Sequence, residues 1–428
     1  MTSSTYVWVY LPDQTEPVVA GRLEYDDNPV GAIYSFLYGA SYLNRRAALP
    51  LDPERLPLER GLTFDSSDLH GTLGVIRDAS PDDWGRRVIE RRLGVTEASE
   101  LTYLIEAGDD RAGALGFSES FDLAPNREPP PGRTDLDILL SAAAAIEEGQ
   151  PVDPAVVMLL KHGSSLGGAR PKATIHMDGE LWLAKFPSTK DRLEVAAIEY
   201  ATLKLAAQCG IETPEIRLID VSGRKVMLSR RFDRTATAKG LCRRHFMSGL
   251  TLLGLHEGEA SRGSYPALAD SIRKLVRDFK RDGAELFRRM IFNMLVSNDD
   301  DHLRNHAVIH DEPGWRLSPA YDLVPHPQSS HTRRQGIGVS SQSREATLKN
   351  ALSEAARFGL TMPRATQIAA RVRDYVESWE TAFRHSGVPA RDIKVLRTAF
   401  LPESVVTGFA EIGRRRNRRA SSRTTKIR

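Results

Sequence analysis

Ser297-Asn298-Asp299-Asp300-Asp301-His302-Leu303-Arg304-Asn305 sets Asp300 four intervening residues ahead of Asn305. At that spacing one short loop can carry a general base and an amide oxygen for a metal ion, which is how kinases arrange these groups. Asp322 follows in Ser318-Pro319-Ala320-Tyr321-Asp322-Leu323, where a second metal-binding carboxylate belongs. The set points to phosphoryl transfer, a reaction that asks the protein for positioning and charge neutralisation more than for covalent chemistry.

An exposed turn can also read Asn-Asp-Asp-Asp. Here the run is pinned between the apolar stretch Met290-Ile291-Phe292-Asn293-Met294-Leu295-Val296 and the strand-like Ala307-Val308-Ile309-His310, so it is held at both ends. Only Asp300 keeps the four-residue gap to Asn305, which leaves Asp299 and Asp301 as supporting or incidental groups. His302 and His306 beside the acidic turn read as hydrogen-bonded structural residues rather than zinc ligands.

Before this motif, strand and helix signals alternate. An apolar helix over Glu285 to Ser297 delivers the acidic run, and a longer one over Leu193 to Cys209 stops at Gly210, a suitable C-terminal cap. Ala173-Thr174-Ile175-His176-Met177 and Leu181-Trp182-Leu183-Ala184-Lys185-Phe186 flank Asp178-Gly179, a hairpin turn signal. A further strand pair is expected at Ile216–Ile219 and Lys225–Phe232. Alternation places Lys185 with Leu183 and Leu181 on the face expected to turn inward, where a lysine needs a partner; Glu199 on the following helix is preferred to Glu194. Ahead of the hairpin, Gly163-Ser164-Ser165-Leu166-Gly167-Gly168-Ala169-Arg170-Pro171-Lys172 is dense in glycine, and such a loop can aim backbone N–H groups at phosphates.

The amino-terminal part reads as a separate α+β unit. Tyr6–Tyr10 and Pro17–Leu23 suggest an opening hairpin, and Ser80-Pro81-Asp82-Asp83 reads as a helix start with Ser80 as cap. Ala124-Pro125-Asn126-Arg127-Glu128-Pro129-Pro130-Pro131-Gly132 is a linker signal. The expected organisation is an α+β unit over 1–123, a linker over 124–134, a small sheet lobe over 135–235, a mainly helical catalytic lobe over 236–412 and a basic tail over 413–428. The fold class is α+β, a bilobal protein-kinase-like fold with an additional small N-terminal α+β domain.

Composition agrees with a globular protein of 428 residues, 41% apolar and 27% charged. Two cysteines, Cys209 and Cys242, make neither a disulfide framework nor a cysteine zinc site. No stretch has the signature of a signal peptide or a membrane span, so a cytoplasmic location is expected. The net charge of +3 conceals the basic end Arg414–Arg428, which reads as a disordered tail, solubilising or an electrostatic arm for nucleic acid.

Five ordered segments, Ser165–Lys172, Leu183–Pro187, Ser229–Arg234, Asn298–Asn305 and Ser318–Leu323, together with Asp110-Arg111-Ala112-Gly113-Ala114-Leu115, resemble the HipA family of serine/threonine kinase toxins over roughly residues 5 to 390. The resemblance implies a protein kinase that uses ATP and Mg²⁺ and is held in check by a HipB-like helix-turn-helix antitoxin, through which it touches DNA. It further implies a protein substrate such as an aminoacyl-tRNA synthetase. By position, Asp300 would be the catalytic base, and Asn305 and Asp322 the magnesium ligands. ATP would meet Ser165, Gly167, Gly168, Ala169, Lys172, Lys185, Glu199, Arg230, Phe232 and His302, with the hinge before Phe232 receiving the adenine. Autophosphorylation would fall on Ser165 or its neighbour Ser164. The alternatives are a small-molecule kinase, and a co-repressor acting with a DNA-binding antitoxin.

Overall fold

The structure, a computed structural model, describes residues 4–28, 31–67, 73–125, 127–163 and 165–409. Ser164 and the basic tail lie outside the described residues. The chain divides into two units, Met1–Arg192 with Pro214–His256 and Ala307–Ser318, and Leu193–Thr213 with Glu257–His306 and Pro319–Arg428.

The first unit opens with an antiparallel sheet in the order β4-β3-β2-β1-β5, formed by β1 (Ser4–Val9), β2 (Val18–Asn28), β3 (Gly31–Tyr38), β4 (Thr63–Asp65) and β5 (Leu115–Ser118). The expected opening hairpin is β1 with β2, kinked by a register shift between Val7 and Trp8. Helix α1 (Asp83–Leu93) is capped by Asp82, whose side chain accepts from the Gly85 N–H. The cap therefore lies two residues beyond the expected Ser80, whose hydroxyl instead donates to the Ile76 carbonyl of the preceding turn.

A second antiparallel sheet, β6-β7-β9-β8, is built from β6 (Lys172–Met177), β7 (Glu180–Lys185), β8 (Ile216–Val221) and β9 (Arg224–Arg230). Its tight turns are made by Asp178-Gly179 and Ser222-Gly223, all four at positive φ, as two-residue hairpin loops require. One face of the sheet packs on α2 (Leu136–Glu147), α3 (Pro154–Leu160) and α1, burying Ile175, Trp182, Ala184, Val226 and Leu228 against Leu139, Leu160, Trp84 and Val88. This core therefore draws side chains from both sides of the 124–134 stretch. That stretch is itself anchored, since the His176 N–H donates to the Pro131 carbonyl at 2.8 Å. Two smaller sheets complete the unit, one pairing β10 (Arg234–Thr237) with β11 (Gly240–Arg243), the other running β12 (His245–Ser248), β13 (Ala307–Asp311), β14 (Gly314–Leu317).

The second unit is mainly helical. Its centre is α6 (Phe279–Val296), packed against α5 (Tyr265–Arg273) and α7 (Met362–Val376), while α4 (Val195–Gln208) ends at Cys209 with Gly210 at φ +80° beyond it. Helix α6 begins six residues earlier than expected, because Asp278 caps it by accepting from the Arg281 N–H. The charged turn Lys280-Arg281-Asp282 masks this start in the apolar pattern. No helix among the described residues is long and apolar enough to cross a membrane.

Candidate functional site

The second unit carries the acidic loop. Helix α6 stops at Ser297, which takes a left-handed conformation at φ +51° with its hydroxyl donating to the Ala399 carbonyl at 2.6 Å. A non-glycine residue held in that region is strained, and such strain persists only where its surroundings impose it. Asp322 is itself at positive φ, +58°, so a residue in this region stands at the head of one acidic segment and at the carboxylate of the other.

The three consecutive aspartates divide sharply by environment. Asp301 is buried and accepts hydrogen bonds from the Tyr265 hydroxyl and from Nε2 of His306 at 2.8 Å. Behind it, Asn293 Nδ2 donates to the Tyr265 oxygen at 3.0 Å, and Asn298 Nδ2 to Asn293 Oδ1 at 3.3 Å, giving a buried polar chain beneath the loop. Burial, with the Asp301 carboxylate beside it, raises the Tyr265 pKa well above its ordinary value, so the phenol stays a donor. Asp299 pairs with Nδ1 of His326 and with the Gln328 amide. Burial works against the charge of Asp299, but the hydrogen bond and positive field of His326, with the field of Arg333, together lower its pKa. The same bond raises the pKa of His326, with Asp299, Asp300 and Asp322 adding negative field. Asp300 alone of the three is exposed. The carboxylate that the Asp-x4-Asn spacing singles out is thus the one left exposed.

Asn305 is 8% exposed, and its Nδ2 donates to the Asp300 carbonyl at 3.1 Å. That bond fixes the amide with Oδ1 as its acceptor end, suited to a hard cation. The Tyr321 hydroxyl donates to the Arg304 carbonyl at 2.7 Å, tying the Asp322 segment to the loop. Among the described residues no group of three or more His, Cys, Asp or Glu side chains is gathered to hold a metal. An asparagine and an aspartate do suit Mg²⁺, which takes few protein ligands and completes its shell with phosphate and water. His302 is half-buried in the same loop, with Nδ1 lacking a partner among the described residues. Glu199 is buried on α4.

The first unit carries the glycine loop and Lys185. Gly167 and Gly168 stand at φ +82° and +95°, and residues 167–170 are exposed. Arg170 forms a bidentate pair with Asp191 at 2.9 and 2.7 Å. Ser165 is 1% exposed and its hydroxyl has no partner among the described residues. Its carbonyl accepts from the Ala112 N–H at 3.2 Å, within a parallel bridge between Arg111 and Ser165.

Three expectations need correction. The inward face of β7 carries Trp182, Ala184 and Phe186, not Leu183 and Lys185, because the core lies on the α2 and α3 side; Lys185 is half-buried on the opposite face. Arg230 pairs in register with Trp182, so it stands on the Trp182 face, exposed and beside Glu180 and Glu215 at 3.8 and 3.7 Å, away from the Lys185 side. Lys172 is 2% exposed, and its ammonium is committed to Asp82 at 2.9 Å and the Gly168 carbonyl at 2.7 Å, so it does not project as a phosphate ligand. At the expected hinge the Phe232 carbonyl accepts from Arg244 at 2.6 Å.

Several residues were invisible to sequence reading. Tyr265, His326 and Gln328 have no motif and reach the loop only through tertiary packing. Gly336 could be found only in three dimensions: a Cβ there would lie 2.6 Å from the Asp301 carbonyl oxygen.

The HipA-like C-terminal domain model matches residues 164–379, and the HipA N-terminal domain model residues 9–118. "Putative kinase Y4mE" of Sinorhizobium fredii is 26% identical over 311 residues, covering 68% of this chain and 71% of that protein. The serine/threonine-protein kinase toxin HipA of Shewanella oneidensis is 21% identical over 299 residues, covering 63% and 66%. A chain in the solved complex of Shewanella oneidensis MR-1 HipA, HipB and operator DNA superposes with a TM-score of 0.69 at 17% identity, over 95% of this chain and 99% of that one. That likeness bears out the expected kinase-like α+β fold. With one family model spanning half of the sequence and a second its amino-terminal part, the chain belongs to the HipA family.

Proposed function

We propose that the protein is an ATP- and Mg²⁺-dependent serine/threonine protein kinase acting as the toxin of a toxin–antitoxin pair. The observation that carries this reading is the sorting of the aspartates: two are consumed by hydrogen bonds, and Asp300 faces solvent beside the fixed amide of Asn305. Asp300 accepts the proton of the attacking hydroxyl. Asn305 Oδ1 and the Asp322 carboxylate hold Mg²⁺, which when bound neutralises phosphate charge and orients the triphosphate. Lys185, on the face of its sheet opposite Trp182 and Ala184, supports the phosphates, and the loop amides of Gly167–Ala169 cradle them. His302 lies close enough in sequence to Asp300 and Asn305 to border the nucleotide.

The family supports a HipB-like antitoxin as partner, with DNA reached through it, and a translation-related protein such as an aminoacyl-tRNA synthetase as substrate. Autophosphorylation is assigned to Ser165, with Ser164 as the other candidate. A buried Ser165 hydroxyl cannot be modified in place, so the loop must first leave its site against Ala112.

The test is transfer of labelled phosphate from ATP with Mg²⁺, followed by peptide mapping, using Asp300→Asn as control. Label in the wild type on protein serine or threonine, absent from the variant, is the expected result. Equal labelling of both proteins would remove Asp300 from its role, and phosphate moved only to a metabolite would replace the protein-kinase reading with a small-molecule kinase.

A further inference from the structure

The glycine loop is gripped from one side. Lys172 Nζ donates to the Gly168 carbonyl at 2.7 Å, and Arg87 Nη2 donates to the Ala169 carbonyl at 3.1 Å. A trans peptide unit is planar, with its C=O and N–H directed oppositely. Holding two successive carbonyls toward α1 therefore turns two successive amides, those of Ala169 and Arg170, away from it. Successive amides turned the same way make an anion-binding concavity. The grip is itself built into the core: Asp82 caps α1 with one carboxylate oxygen and pairs with Lys172 through the other, both side chains being 3% exposed. Trp84, fully buried two residues on, donates from Nε1 to the Lys172 carbonyl at 2.9 Å and so fixes where that lysine starts.

On the nucleotide-binding reading given above, we infer that Lys172 is a positioning residue: charged and steered by Asp82, it sets the orientation of the peptide between Gly168 and Ala169, and through it the affinity for the nucleotide's phosphates. The lysine that the sequence offers as a phosphate ligand thus acts from behind the loop, and its partner is an amino-terminal residue outside the C-terminal family model.

The inference separates from a general structural role by the ligand used. Lys172→Met alone leaves a buried carboxylate unpaired, so the variant to measure is Asp82→Asn with Lys172→Met, beside Lys172→Arg. Binding of ATP and of adenosine to the full chain is followed by calorimetry. The double variant is expected to bind ATP about tenfold more weakly, the worth of one oriented charge-assisted hydrogen bond, and adenosine as the wild type does, with Lys172→Arg recovering part of the loss. Unchanged ATP affinity overturns the inference, as does a parallel loss for ATP and adenosine, which marks a collapsed lobe. A wild type that binds neither nucleotide nor nucleoside overturns the nucleotide reading itself, and is recognised by needing no variant.

Discussion

Asp300 and Asp301 are neighbours in sequence, yet their substitutions should part cleanly. Asp300 is exposed, so Asp300→Asn is expected to leave stability within about 0.5 kcal/mol of wild type. Its phosphotransfer should fall by roughly 10² to 10⁴, the range general bases contribute. Asp301→Ala leaves the Tyr265 hydroxyl and His306 Nε2 buried without their acceptor, and each orphaned group costs about 1–3 kcal/mol. Urea unfolding should therefore show a loss of roughly 2–5 kcal/mol for Asp301→Ala, and activity should fall with it. A stable but inactive Asp301→Ala would mean that the buried chain is not what holds the loop.

At the scale of elements, the acidic loop rests on a backbone. Gly336 lies so close under it that a Cβ would meet the Asp301 carbonyl carbon at 2.8 Å and the Asp299 carbonyl oxygen at 3.1 Å. Gly336→Ala should push the loop off its support and cost about 1–3 kcal/mol as an overpacked site does, with activity falling more than stability because 1 Å at a reacting group can cost about 10² in rate. Circular dichroism melts set against phosphotransfer would check that order. What the sequence showed of these elements was local. The hairpins over Asp178-Gly179 and before Gly210 the long helix are written in turn and cap chemistry, and the Asp-x4-Asn spacing survives folding because it lies within one loop. What it hid was tertiary. The choice of inward face on β7 depends on which side α2 and α3 cover, and alternation alone is symmetric between the two faces. The cap of α1 went to Asp82 rather than Ser80 because that carboxylate also serves Lys172, a partner ninety positions away. Tyr265 and Gly336 are ordinary residues until the chain brings them under the loop.

At the scale of the first unit as a whole, a buried ion cluster joins the amino-terminal segment to the second sheet. Arg231 donates to Asp110 at 2.9 Å and to both oxygens of Asp233 at 2.8 Å, Arg234 pairs with Asp233 at 2.7 Å, and the Gly113 N–H donates to Asp233 at 2.9 Å. Burial opposes the charge on Asp110, but Arg231 and Arg234 outweigh it and bring its pKa down to about 2, and Asp233 is lowered further in the same way. A carboxylate whose folded pKa is depressed adds stability that is full above its unfolded pKa, near 3.9, and that drains as pH falls through the folded value. Acid titration should thus show the unit destabilised progressively from about pH 4 to pH 2, with Asp233→Asn shifting the onset upward. A wild-type transition unmoved by that substitution would remove the cluster from the acid response.

The grip of Asp82 on Lys172 and of Asp110 on Arg231 also bears on descent. The two family models meet this chain at 9–118 and 164–379, as if two cassettes had been joined, and a recombination event falling between them would look harmless on paper. In the folded protein it would hand each half the other's buried countercharges, so a swapped partner must bring both carboxylates and Trp84 in register or leave lysine and arginine stranded in an apolar interior. Exchanging one cassette alone therefore costs the fold its buried ion pairs unless the newcomer supplies their partners.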